Sequence, residues 1–488
     1  MPTKNKGHRK KPFSGKKKKA QLQNKRGKRR DQQNQAQGRA QAGEAPGNED
    51  AAGGDATLTT SFGAPLDSAS GNRSKTRFAT TVMRENDEVV RQRKARGSEP
   101  ISRNETFEKP IATLKKLHPH LFHPRRPAWS STLSAERIEE SEQAYFSAWL
   151  ANIHNHFSPS AVTPFEHNLE VWRQLWRVVE QSDVLLITAD CRNPLFHISE
   201  SLVNELLILR KPVVIVITKI DLVPPEHVIA WKTYLQRRFP LASVTEFSAR
   251  GPLSEADKNR LKGGLSSRRK FLKNKPKFEW AKPYVEYLVG VCAKLANFTF
   301  GGEDGGTSAG GAKKQLTIGL CGHPNTGKTS LLNALAGKKV ASVSRTAGHT
   351  KYLQHIPLES GVVLIDCPGL IFPLEKPRFM GEVLGLYPIA QIREPFTAIR
   401  FAFEHLPLEK LYIVKKPEWY FDEDLGLGPE DVEWTPIMFC EAVAEKRGFL
   451  LSRGGAPDVQ RAGLQVMKDL CDGVLCLAFQ PPNEKTGL

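Results

Sequence analysis

The 488-residue sequence predicts an α/β fold: a doubly wound, mostly parallel sheet, with a disordered basic arm before it and a small helical C-terminal domain after it. Three observations predict this. Short apolar runs rich in Val and Ile alternate with helix-length segments, as buried parallel strands alternate with their crossover helices. One run leads straight into a glycine-rich loop that ends in a lysine and opens a helix. The charge is also lopsided: the net charge is +19, and the first thirty residues carry fourteen Lys or Arg and no acid.

That basic run repels itself and has little apolar surface to bury, so residues 1–110 are predicted to be arm and linker, with some helix in the charged stretch before 110. Within 118–123 three histidines lie among prolines. No Cys or acid accompanies them at ligand spacing, which favours a polar loop over a zinc site. Leu169, Trp172, Leu175, Trp176 and Val179 recur at helical spacing and predict a core-facing helix. Residues 184–188 and 213–217 read as buried strands separated by a helix near 200–209, and 243–247 as a third strand. The basic stretch 266–277 and the glycine-rich spacer ending at Gly311 predict a flexible insertion over about 251–311. Residues 316–320 and 362–365 give two more strands, so the α/β domain is placed at 111–395. In 396–488 a helix is expected to run into Gly448, and Asp458 to cap another that ends before Gly473.

Seven cysteines at 191, 292, 321, 367, 440, 471 and 476 form no CxxC pairs, which fits reduced thiols. No apolar stretch reaches the length of a membrane span, and the N-terminus is too polar for a secretory signal. A soluble intracellular protein with no membrane partner is expected. Nothing in the sequence fixes an oligomeric state, and a monomer is favoured.

The strongest chemical signal is Gly322, His323, Pro324, Asn325, Thr326, Gly327, Lys328 and Thr329, a complete GxxxxGK[ST], followed by Ser330 and a helical stretch. Its glycines let successive N–H groups curl round phosphates, and the helix that follows points its positive end at them. Lys328 is placed to reach the β- and γ-phosphates of a nucleoside triphosphate, and Thr329 to ligate Mg2+. About forty residues on, Asp366, Cys367, Pro368 and Gly369 form DxxG at a strand end, with Leu370 behind. Asp366 suits a water-mediated Mg2+ contact and the Gly369 N–H a γ-phosphate. Between these motifs, Thr350 beside Gly348 is the chosen switch threonine and a metal ligand, with Thr346 the alternative.

Base selection is assigned to Thr218, Lys219 and Asp221, which end a buried strand. A carboxylate at Asp221 accepts two hydrogen bonds from guanine N1–H and the exocyclic amine, while the Lys219 stem lies over the ring. Ser248 and Ala249 form a second turn, where the Ala249 N–H can meet guanine O6. These base elements precede the phosphate loop, the reverse of the usual order in a P-loop GTPase. A parallel sheet tolerates such circular permutation because native termini lie close together at the surface.

With these motifs in hand, the chain resembles the circularly permuted GTPase family of ribosome-assembly factors. The likeness covers the basic arm, PRRPAW at 124–129, the segment 165–190, and the stretch from the phosphate loop through DCPGLIFP and LYPIAQI, with EKRGF at 445–449. It departs at two places: Thr218 replaces the Asn of the family's NKxD, and Ala347 the proline of its Pro-Gly-x-Thr switch. The resemblance implies a slow GTPase that binds GTP and GDP with Mg2+ and switches in large-subunit ribosome assembly. It also implies a K+ ion near Asn325, for which a loop-bracing amide is the alternative. Leu370 stands where signalling GTPases carry a water-positioning glutamine, so hydrolysis is expected to need a partner surface. The basic arm implies contact with ribosomal RNA or a pre-ribosomal particle and a nuclear or nucleolar location, with cytoplasm as the alternative. Two rival readings stand beside this one: a nucleotide-gated scaffold with negligible hydrolysis, and an ATPase.

Overall fold

The computed structural model describes residues 86–102, 110–112, 118–158, 161–251, 253–274, 278–297, 315–341, 353–358, 361–421, 428, 432–452 and 455–482. All belong to one compact unit, Thr57–Leu488. In chain order the helices and strands are α1 (Asp87–Ala95), α2 (Ala135–His156), α3 (Leu169–Gln181), β1 (Val184–Asp190), α4 (Pro194–His197), α5 (Glu200–Ile208), β2 (Val213–Thr218), α6 (Pro225–Arg238) and β3 (Ser243–Glu246). There follow α7 (Glu255–Lys262), α8 (Leu265–Lys273), α9 (Lys282–Leu295), β4 (Leu316–Cys321), α10 (Lys328–Leu335), β5 (Gln354–Pro357), β6 (Val362–Asp366) and α11 (Arg378–Val383). The chain then continues through α12 (Phe396–His405), α13 (Leu408–Tyr412), α14 (Pro436–Arg447) and α15 (Val459–Cys471).

The six strands form one sheet in the order β3-β2-β1-β4-β6-β5, parallel except for the antiparallel β5–β6 pair. Every residue of β1 and β2 is buried, which is why both read as unbroken apolar runs. Successive side chains go to opposite faces: Leu185, Ile187 and Ala189 join the core of one face, Val184 and Leu186 that of the other. The first core takes α3, α5, α6 and the C-terminal helices, while the second takes α9 and α10. The fold is therefore doubly wound, as the sequence predicts. The central strand β4 follows β1–β3 in the chain yet pairs with β1, so the two halves of the sheet are joined in permuted order. Gly319 in β4 lets α3 approach, since a Cβ there would lie 2.2 Å from Ser182 Oγ and 2.7 Å from Val178 Cγ1.

Side-chain caps start the helices where the sequence places turns. Asn168 accepts from the Glu170 N–H at α3, Ser199 from Leu202 at α5, and Asp458 from Arg461 at α15. Gly448, at φ 64°, closes α14.

Four expectations are corrected. The segment 251–311, predicted as flexible, carries α7, α8 and α9. Leu265, Phe271, Leu272, Leu288 and Cys292 are buried there, and the seven cations around the first three concealed their helical spacing. The spacer 298–314 lies outside the described residues, as does the arm, 1–85. Packed structure begins before residue 110: Val90 and Ile101 are buried, the Ile101 N–H donates to the Trp434 carbonyl at 2.9 Å, and Arg93 pairs with the buried Glu394 at 3.0 Å. The C-terminal helices share one core with the sheet instead of forming a separate one, because Phe439, Val466 and Phe479 belong to the same buried cluster as Ile187 and Ile215. Finally, the histidine loop is not simply polar. His123 is buried and paired with Ser201 and Glu205, and His120 stacks on His156 at 3.6 Å. Among the described residues no group of three or more His, Cys, Asp or Glu is arranged to hold a metal ion.

Candidate nucleotide site

At the C-terminal end of β4 the chain turns sharply through Gly322 (φ 137°), Asn325 (φ 58°) and Gly327 (φ 98°) before α10 begins. A Cβ on Gly322 would sit 2.9 Å from the Thr188 hydroxyl of β1, so the turn requires glycine on space as well as φ. Lys328 is buried and its Nζ donates to the carbonyls of Gly322 (2.9 Å) and His323 (2.6 Å), drawing the loop into a ring. Burial pushes its pKa down, against the opposing pull of Asp366. Thr329 and Ser330, the next residues of α10, are half-buried.

The loop is braced by neighbours that include Thr188, His197, Gly369 and Gly385. Thr326 Oγ1 bonds to the Thr188 hydroxyl at 2.7 Å and donates to the His323 carbonyl at 2.8 Å. The buried His323 ring shares a hydrogen bond with the His197 carbonyl at 3.1 Å, and Pro324 packs on Gly369. Asn325 donates from its amide to the Gly385 carbonyl at 2.7 Å, the bracing role weighed against a K+ contact.

Asp366 ends β6 next to this loop. It is 1% exposed, and neither carboxylate oxygen has a hydrogen-bond partner among the described residues. Burial pushes its pKa up to about 6, with Lys328 pulling the other way. A bare buried carboxylate is costly unless something with donors or positive charge completes it, so it fits a hydrated Mg2+. Beyond it, Cys367 and Pro368 are buried, Gly369 is half-buried, and Leu370 is packed in the core with its N–H donating to the Gly322 carbonyl at 3.3 Å.

The base-selecting candidates lie two strands away at the same sheet end. Thr218 Oγ1, at the end of β2, donates to the Thr326 carbonyl at 2.5 Å. Lys219 adopts the left-handed conformation, φ 56°, and Asp221 follows in a short 3-10 turn. Ser248, after β3, donates to Asp221 Oδ1 at 3.2 Å, and Arg250 Nε lies 3.5 Å from Oδ2. Burial raises the Asp221 pKa, opposed by Arg250. Ala249 is half-buried in the same turn. The structure thus brings together 218–221, 248–249, 322–330 and 366–370. Thr346, Ala347, Gly348 and Thr350 lie outside the described residues.

Sequence reasoning missed Thr188, Asp190 and Arg192. Asp190 and Arg192 are each 1% exposed and paired with each other, and Asp190 also takes Lys219 Nζ at 2.8 Å. The signal was present: an acid and an arginine two residues apart at the end of an apolar run seldom stay buried unless paired.

Comparison with known proteins decides the family. The sequence family described as 50S ribosome-binding GTPase matches residues 317–391. Guanine nucleotide-binding protein-like 1 of Homo sapiens is 34% identical over 450 residues, covering 83% of this chain and 73% of that protein. The chain belongs to the guanine nucleotide-binding protein-like 1 family. This is a family of P-loop GTPases with the permuted motif order, and such GTPases generally use Mg2+. The Mus musculus member is also 34% identical, over 454 residues. Large subunit GTPase 1 of Schizosaccharomyces pombe is 34% identical over 387 residues, covering 76% of this chain and 60% of that protein. Among solved structures, GNP-bound YlqF from T. maritima aligns over 64% of this chain and 97% of that one, at 18% identity and a TM-score of 0.37. No helix among the described residues is long and apolar enough to cross a membrane.

Proposed function

We propose that this chain is a guanine-nucleotide switch acting in assembly of the large ribosomal subunit. The observation that carries the reading is the convergence, at one end of the sheet, of the phosphate loop, the Asp366 carboxylate that has no hydrogen-bond partner among the described residues, and the Asp221 turn. Gly322, His323, Pro324, Asn325, Thr326, Gly327, Lys328, Thr329, Ser330 and Gly369 cradle the phosphates. Thr218, Lys219, Asp221, Ser248 and Ala249 take the base. Thr329 and Asp366, with Thr350, hold Mg2+, which supplies positive charge at the transferring phosphoryl group. Gly348, Thr350 and 366–370 form the switch. Asn325 is a candidate K+ ligand through its side-chain oxygen, and exchanging KCl for NaCl tests it.

Leu370 sits in the core, and a leucine cannot orient water, so hydrolysis is slow without a partner. The same observation favours a second reading, a nucleotide-gated scaffold with negligible hydrolysis. Single-turnover hydrolysis with and without ribosomal particles separates the two. The ribosomal setting is supported by the name of the large subunit GTPase relative and by the cationic arm. An arm that neutralises several RNA phosphates loses about 10³- to 10⁵-fold in affinity between low and physiological salt. A nuclear or nucleolar site of action follows from that partner.

The decisive experiment is equilibrium binding of a fluorescent GTP analogue with Mg2+, competed with GTP, GDP and ATP, on the wild type and on Asp221→Ala. GTP and GDP compete, ATP does not, and the substitution costs roughly 2–5 kcal/mol, or about 30-fold to several thousand-fold. Equal competition by ATP favours an ATPase, and that outcome or a silent Asp221→Ala overturns the guanine reading and leaves only the phosphate-loop assignment standing.

A further inference from the structure

We propose that Arg192 is a positioning residue for guanine recognition: through Asp190 it sets Lys219, and it makes the C-terminal end of α15 part of the base site. The inference rests on the reading of 218–221 as that site.

Asp190 ends β1 and meets two cations in a dry environment. Arg192 donates to it from its backbone N (3.0 Å), from Nε (3.0 and 3.2 Å) and from Nη2 (2.7 Å), while Lys219 Nζ stands 2.8 Å from Oδ2. These partners hold the Asp190 carboxyl well below the usual carboxylate range despite its burial. The remaining face of the guanidinium is turned to α15. Nη1 donates to the Leu470 carbonyl at 2.6 Å and Nη2 to that of Cys471 at 3.5 Å. Carbonyls of a last helical turn lack intrahelical donors and carry the negative end of the helix dipole, so a buried cation suits them.

The chain after α15 then lies on the turn that holds Lys219 and Asp221. Gly473, at φ 77°, packs on Leu222, where a Cβ would come within 2.6 Å of Leu222 Cδ1. Cys476 donates from its thiol to the Leu222 carbonyl at 3.2 Å. The Phe479 N–H donates to the Arg192 carbonyl at 2.7 Å.

One carboxylate shared by two cations makes their positions interdependent. With Arg192 present, Asp190 is satisfied mainly by the guanidinium, and Lys219 is tethered at one oxygen with its stem over the base site. Without Arg192, Lys219 is the one remaining cation on a buried carboxylate and is drawn inward. The Leu470 and Cys471 carbonyls lose the guanidinium in the same step, and Leu470 keeps only backbone N–H contact, from Gly473 at 3.1 Å. Guanine binding and docking of α15 therefore depend on the same atoms, and such coupling is reciprocal.

The test uses the full chain, with fluorescent GDP and Mg2+, and inorganic tripolyphosphate as a competitor that occupies only the phosphate loop. Arg192→Gln weakens GDP by about tenfold or more and leaves tripolyphosphate unchanged, whereas a merely structural role weakens both. In a Lys219→Met background the same substitution costs less than about threefold further, because the two act through one carboxylate. Asp221→Ala runs alongside. If Asp221→Ala loses GDP while Arg192→Gln binds it like the wild type, this inference alone is overturned, and if Asp221→Ala is silent the base-site reading falls with it. Should Arg192→Gln not fold, hydrogen exchange on the wild type decides. GDP slows exchange of the amides in 466–479, and unchanged exchange with GDP bound overturns the coupling.

Discussion

The Thr218 hydroxyl donates to the Thr326 carbonyl at 2.5 Å, joining the end of β2 to the phosphate loop across the intervening strand β1. It also lies 3.1 Å from the Ala189 carbonyl, so one proton serves two acceptors. An Asn side chain here has two N–H donors and an oxygen; the threonine keeps one proton and spends it on the loop. Thr218→Val preserves shape and removes that donor. The buried Thr326 carbonyl then lacks it at a cost of about 1–3 kcal/mol. The urea midpoint should fall accordingly, and GDP and tripolyphosphate should weaken by the same factor, because the loop loosens rather than the base contact. A loss confined to GDP would show that Thr218 touches the base.

Asp366 makes the metal dependence measurable. Burial pushes its pKa up to about 6, above the ordinary value of 3.8. Mg2+ needs the ionised carboxylate, so it competes with the proton. Chelating Mg2+ with EDTA at pH 7.5 should lower GTP affinity by about tenfold or more. That Mg2+-dependent gain should shrink as pH falls through about 6, and Asp366→Asn should reduce it at every pH. Titrations at pH 7.5 and 5.5, with Mg2+ or EDTA, read all three effects. A gain independent of both pH and Asp366 would place the metal elsewhere.

The parts of this architecture that depend on local pattern were legible in the sequence. The apolar runs of β1, β2, β4 and β6 advertise burial on both faces, and the phosphate loop carries its own signature in residue type and order. What escaped depends on distant partners. Edge strand β5 is QHIP, mostly exposed, and is a strand because β6 lies beside it. In α8, Phe271 and Leu272 are hidden among Arg268, Arg269, Lys270 and Lys273, and Arg269 finds its counter-ion 200 residues away at Asp469. Asn325 looks like any loop amide until its acceptor, the Gly385 carbonyl, is seen 60 residues on. Glu142 reads as a surface residue of α2, yet it is buried because Arg126 and Arg173 both reach it.

A buried histidine beneath the phosphate loop should make folding stability depend on pH. His197 is 1% exposed and its Nδ1 lies 3.1 Å from the Asn193 carbonyl, which requires that nitrogen to donate, a role the neutral and the charged ring both fill. Burial lowers its pKa from the ordinary 6.5 to about 4, with Lys219 and Arg192 adding to the shift and Asp190 opposing it. Above about pH 6.5 both folded and unfolded chains carry a neutral ring, and this residue has no effect on the slope. Between about 6.5 and 4 the unfolded chain takes up a proton that the folded chain refuses, so stability falls as pH falls. The full loss from this residue is on the order of 3 kcal/mol, complete only below the folded pKa. His167, also brought to about 4 by burial with His154 nearby, adds a second contribution of the same sign. In His197→Asn the amide keeps a donor for the Asn193 carbonyl and removes the titration. Urea midpoints from pH 7.5 to 5 should therefore decline less steeply in the variant than in the wild type, with His167 and the buried His323, whose pKa burial also lowers, contributing to the residual slope. Parallel curves would mean that His197 accepts its proton at Nε2 inside the folded protein, with Nδ1 still donating to the Asn193 carbonyl.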